Sequence, residues 1–120
     1  MKKYFVGLIM CAMICGLLMQ GNQVNANGFG PGQNNAAQGL NDEGYTQEGS
    51  GYYWTYGNRN ALFYAYTYSN YFNANYSHES FAFLGDLSKY SGRVASGQTA
   101  YAQTPNGTTS ALGTAMIGTF

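Results

Sequence analysis

The chemistry open to this chain is bounded by its supply of reactive side chains. His78 is the only histidine, and Cys11 and Cys15 are the only cysteines. A catalytic triad or a zinc site needs several such groups converging on one point. The carboxylate nearest to His78 in sequence is its neighbour Glu79, and neighbours on a strand point to opposite faces. Of the five carboxylates, Asp42, Glu43 and Glu48 lie in a Gly-, Asn- and Gln-rich stretch, a poor platform for acid and base work. No enzymatic activity is expected, and no metal or cofactor. His78 reads as a hydrogen-bonded structural residue or a surface one. The run GFGPG at residues 28–32 has the letters of a phosphate loop, but no strand precedes it, no helix pattern follows, and Pro31 interrupts it.

The first 26 residues have the three parts of a secretory signal. Lys2 and Lys3 are the positive start, residues 5–19 form an apolar stretch shorter than the roughly 20 residues that span a bilayer, and Val24, Asn25 and Ala26 supply the small residues of a cleavage site. Cleavage after Ala26 and export are expected. Both cysteines would leave with that segment, which removes disulfides and thiol nucleophiles together. In the remaining 94 residues Arg59, Lys89 and Arg93 stand against Asp42, Glu43, Glu48, Glu79 and Asp86, a formal charge of −2. Such a chain lacks the basic stripe that nucleic acid requires.

Two further regions follow. Residues 27–51 contain only Phe29, Leu40 and Tyr45 as large apolar side chains, too few to offset the entropy of ordering, and are expected to form a flexible lead segment. From residue 52 the composition turns, with thirteen aromatics among the 32 residues of 52–83. Within ALFYAYTYS, Leu62, Tyr64, Tyr66 and Tyr68 share one face and Ala61, Phe63, Ala65, Thr67 and Ser69 the other, the period of a strand with a heavy side. Further strands are expected over residues 71–76, 80–84, within 93–103 and over 110–120. A polar turn region is expected over residues 84–92, with Gly85 and Asp86 beginning the bend, and a turn at residues 104–107. This spacing predicts an all-β domain over 52–120, a small antiparallel β-sandwich or open barrel. Most tyrosines, including Tyr64, Tyr66 and Tyr68, are expected in the core and in cross-strand pairs, and Trp54 as its largest piece.

Several of these residues stand in a particular order. WTYG at residues 54–57 is followed by YSNY at 68–71, by His78 seven residues further on, by Arg93, and by Ala100 and Ala102 as A-x-A. The order resembles that of the lactococcin 972 family of bacteriocins. The resemblance implies a secreted, disulfide-free sandwich of two small antiparallel sheets that blocks cell-wall assembly at the septum by binding the precursor lipid II. Lipid II is then the expected partner, beside membrane proteins for transport and immunity. Under that reading Arg93 and Lys89 would meet the pyrophosphate, Trp54, Tyr56 or Tyr71 would stack on sugar, and His78 joins them as a ligand-binding candidate. An alternative of another class is a secreted structural protein that assembles with further copies of itself, for which Tyr, Gly, Asn and Gln in aromatic strands are suitable material. The chain lacks the fixed-period repeat that such proteins commonly show.

Overall fold

The computed structural model describes residues 29–42 and 44–120, so the expected signal peptide, residues 1–26, lies outside the described residues. The described strands are β1 (Asn34–Leu40), β2 (Tyr45–Gly49), β3 (Tyr52–Asn60), β4 (Ala65–Asn73), β5 (His78–Leu84), β6 (Leu87–Tyr90), β7 (Thr99–Gln103) and β8 (Gly113–Thr119). They form two four-stranded sheets, one in the order β1, β8, β5, β6 and the other in the order β2, β3, β4, β7. Every pairing is antiparallel. The chain is thus the small all-β sandwich that the periodicity and the resemblance both imply.

Local chemistry sets the hairpins. Gly49 pairs with Tyr52, leaving a two-residue turn whose Gly51 has φ 82°. Leu84 pairs with Leu87 around Gly85, at φ 58°, and Asp86. Two-residue hairpins need such left-handed backbone, which glycine adopts without a Cβ penalty.

Between the sheets, β3 contributes Trp54 and Tyr56 and β4 contributes Tyr71, all fully buried. Leu40, Ala37, Ala115 and Ile117 meet them from the first sheet. The Trp54 and Tyr56 rings lie 4.1 Å apart, and Phe29 closes one end at 6.2 Å from Trp54. Two large rings from one strand leave room for only small residues opposite, which is why alanine and serine fill so much of the inner surface.

Two expectations are corrected. The segment expected as a flexible lead, within its described residues 29–42 and 44–51, carries two strands: β1, paired with the central strand β8, and β2, the edge partner of β3. Ala36, Ala37, Leu40 and Phe29 are buried. The stretch has little bulk of its own, but its alanines fit beneath bulk supplied by Trp54 and Tyr56, so the sandwich extends well upstream of residue 52.

The second correction concerns the tyrosine face. β4 turns Ala65, Thr67, Ser69, Tyr71 and Asn73 inward, and Tyr66 and Tyr68 point out. A period of two states which residues share a face, and the neighbouring strand decides which face is inner. Ser69 stands opposite Tyr56 and Thr67 opposite Asn58, so a second bulky row there would overfill the layer. Tyr68 instead lies outside, across from Gly57, and its hydroxyl accepts the Gly44 N–H at 2.9 Å. Tyr64 and the rest of residues 61–64 are not strand but the turn between β3 and β4. The strand expected over 71–76 is the end of β4 and the loop after it.

Candidate functional site

Two of the signature residues, Trp54 and Ser69, take part in a buried polar seam between the sheets. Trp54 Nε1 donates to Ser69 Oγ at 2.9 Å, and Ser69 Oγ reaches the Met116 carbonyl at 3.4 Å. Ser80 Oγ lies 2.6 Å from both the Ser69 carbonyl and Ser69 Oγ. Ser69 sits on β4, Ser80 on β5 and Met116 on β8, so these bonds tie one sheet to the other. Each is made by a side chain with no access to water, where an unpaired hydroxyl or indole N–H would cost about 1–3 kcal/mol.

A second knot lies at the end of β4. Asn73 Nδ2 donates to Tyr71 Oη at 2.8 Å and to the Phe29 carbonyl at 3.2 Å. The Tyr71 hydroxyl meets Thr119 Oγ1 at 2.7 Å on β8. Asn73 Oδ1 accepts the backbone N–H of Asn75 and of Tyr76, at 2.9 and 3.1 Å, which folds the loop of residues 74–77 back over the strand end. His78 is wholly buried beside Tyr71, ring centroids 4.9 Å apart. Its Nδ1 faces the Tyr76 carbonyl at 2.8 Å and its Nε2 the Gln98 carbonyl at 2.7 Å. The imidazole thereby pins two loops to the start of β5.

Of the residues expected to touch a ligand, Trp54, Tyr56, Tyr71 and His78 are brought together, but inside the protein. None has an exposed face on which a sugar can stack in this conformation. Burial is the first cause that raises the phenols of Tyr56 and Tyr71 above their ordinary value, offset in part by hydrogen bonds from Gln47 and from Thr119 and Asn73 respectively. Lys89 is exposed on the edge strand β6. Arg93 is exposed too, its guanidinium 3.7 Å above the Phe120 ring, with Nε and Nη2 donating to Ser77 Oγ at 3.3 and 3.1 Å.

Among the described residues, one shallow pocket of about 400 Å³ lies at the end of the sandwich that carries residues 50–51 and 74–77. Phe29 and Tyr52, stacked at 4.0 Å and 12°, form one wall. Ser50, Asn75 and Tyr76 supply hydroxyl and amide groups around it. Ser77 follows Tyr76, so Arg93 is held at this same end. Rings and amides suit an uncharged, hydroxylated ligand, and the guanidinium suits an anionic group beside it. Sequence reasoning missed Tyr52, Asn75 and Tyr76. The dense asparagines of FNANYS were the available signal, since asparagine side chains that cap backbone N–H groups build tight loops.

Fold and site together define a small sandwich with no cysteine among its described residues, its buried polar side chains spent on joining the sheets and its exposed polar and cationic groups on loops and outer faces. A family model described as Bacteriocin (Lactococcin_972) matches residues 50–112, more than half of the chain, and the chain belongs to this bacteriocin family. No curated protein and no solved structure matches it. The matched span begins in the turn before β3 and ends just before β8. Strands β1, β2 and β8 lie outside it, β1 and β8 being neighbours in the first sheet.

Proposed function

We propose that this bacteriocin-like antibacterial protein is exported and acts stoichiometrically, by binding the cell-wall precursor lipid II and so withholding it from wall and septum synthesis. The family supports the antibacterial role. The observation that carries the reading of the target is that exposed Arg93 donates to Ser77, the residue after Tyr76, which lines a pocket together with Tyr52 and Asn75. In this reading the guanidinium meets the pyrophosphate and the pocket takes the amide- and hydroxyl-rich sugar. Lys89 adds a second cation on the neighbouring edge strand.

The test is a titration of the purified protein against membranes containing lipid II, beside membranes lacking it. Binding is expected only where lipid II is present, and added lipid II should protect sensitive cells in proportion to its amount. Arg93→Ala is expected to weaken that binding by about tenfold or more, the worth of a charge-assisted hydrogen bond. The affinity must be expressed per folded molecule, because Arg93 also braces Phe120 and Ser77. A variant with a lower melting temperature and unchanged affinity assigns Arg93 to structure, and equal binding to both membranes removes lipid II as the target.

A further inference from the structure

We propose that the turn between β3 and β4 is a membrane anchor, with Leu62 and Phe63 inserting into the surface layer of a lipid bilayer. Asn60 pairs with Ala65, and the Ala61 N–H donates to the Tyr64 carbonyl at 2.8 Å. These bonds leave Leu62 and Phe63 as the two apex residues of a tight hairpin turn. They are 83% and 86% exposed.

Apex positions of such turns ordinarily carry glycine, asparagine or aspartate. This chain follows that rule at Ser50 and Gly51 and at Gly85 and Asp86. At residues 62 and 63 it places two of the most apolar side chains instead, and neither is covered by packing. A local rule broken without a gain in the fold marks a functional position. The apex is also not isolated. Leu112 is exposed at the same end, immediately before Gly113, which seats against Asn58 and Thr67, and Gly107 bridges to Ala65.

The shape selects the partner. A convex apolar tip offers no concavity to a small ligand, and is covered only by a medium that yields around it. A bilayer does so, and burying two such side chains in it is favourable by the same transfer term that drives folding. No Lys, Arg, Asp or Glu occurs between Arg59 and Glu79. Tyr64 and Tyr66 follow the tip, rings of the type that settle at the interface between lipid and water. Arg59 stands opposite Tyr66, just behind the turn, at the depth where lipid phosphates would lie.

This anchor is independent of the lipid II reading. The tip and the pocket beside Arg93 are at opposite ends of β3, whose nine residues span about 30 Å. One molecule seated on a bilayer by its tip holds Arg93 away from the phosphates, so either contact can fail and leave the other standing.

The experiment places a reporter at the apex, Phe63→Trp, in the purified protein with phosphatidylcholine vesicles and no lipid II. The unsubstituted protein gives the background of Trp54, which is fully buried. Insertion predicts a blue shift of the apex emission with vesicles and its loss when the acyl chains are brominated, with little change in the background protein. Adding Leu62→Ser should diminish both effects while the melting temperature stays level, since neither apex residue packs in the core. The proposal is overturned if vesicles leave the apex emission unchanged, as they would if a protein partner covers the tip. It is equally overturned if vesicles bind without acyl-chain quenching, or only when phosphatidylglycerol is present and irrespective of Leu62.

Discussion

Trp54→Ala is expected to unfold the protein rather than to disarm it. Trp54 is fully buried, lies 4.1 Å from the tilted Tyr56 ring, meets Phe29 at 6.2 Å, and donates its indole N–H to Ser69. Truncating a buried aromatic costs about 3–5 kcal/mol through lost transfer energy and the cavity left behind. The loss of the Ser69 donor falls within that range rather than adding cleanly to it. A domain of this size holds roughly 5–15 kcal/mol in total. At about 4–8 °C per kcal/mol, the melting temperature should drop by roughly 12–40 °C. Trp54→Phe is the informative companion: it keeps a ring and loses the N–H, while Ser69 Oγ still meets Ser80 and Met116, so a fall of about 0.5–2 kcal/mol beyond the size change is expected. The assay is thermal and urea unfolding followed by circular dichroism, with growth inhibition normalised to folded protein. Retention of the wild-type melting temperature in Trp54→Ala, together with lost inhibition, would refute the reasoning and move Trp54 to a ligand surface that the structure does not expose.

Alkaline pH should destabilise the fold. Tyr90 is pushed up to about 12, first by burial and then by the hydrogen bond to Glu79 and its charge, and Tyr56 and Tyr71 are raised chiefly by burial. Raised folded-state values favour the neutral phenol, so this stability is fully present below pH 10.0, the ordinary phenol value, and is lost as pH climbs toward 12. A melting temperature that stays level across that interval contradicts the assignment. Gly113→Ala should cost about 1–3 kcal/mol by overpacking. The added Cβ would run into Thr67 Oγ1 and come 3.0 Å from Asn58 Oδ1, two buried groups already joined at 2.7 Å. An unchanged urea midpoint would show that this pair can part without loss.

The sequence made the class of fold legible and misplaced its inside. Alternation over β4 is plain in AYTYSNYFN, yet whether Tyr66 or Thr67 faces the core depends on Trp54 and Tyr56 in the adjacent strand, information that a single strand does not hold. The bend at Gly85 and Asp86 was readable because its chemistry is local, whereas β6, which returns from it over residues expected to stay in the turn, was not. β1 was not, since NNAAQGL becomes a strand only through its pairing with β8 nearly eighty residues away. The site fared similarly. Trp54, Tyr71 and His78 stand out by type and spacing, and the structure makes them internal joints. Asn75 and Tyr76 are ordinary by type, and matter because Asn73 folds their loop across the end of the sandwich.

The burial of the signature explains how a domain of this size stands without a disulfide in its described residues. A small two-layer protein has little area to bury, and rings alone do not fix how one sheet sits on the other. The seam does so by direction. Trp54 must reach Ser69, Ser69 and Ser80 must meet across the layers, and Tyr71 must find Thr119, all within 2.9 Å. Sliding either sheet by one residue would strand several buried donors at once, each at the full desolvation cost. The same economy separates roles along the chain. With Trp54, His78 and Tyr71 committed to holding the sheets in register, the contacts we propose are left to residues outside: Arg93 and the loop after Asn73 at one end, Leu62 and Phe63 at the other.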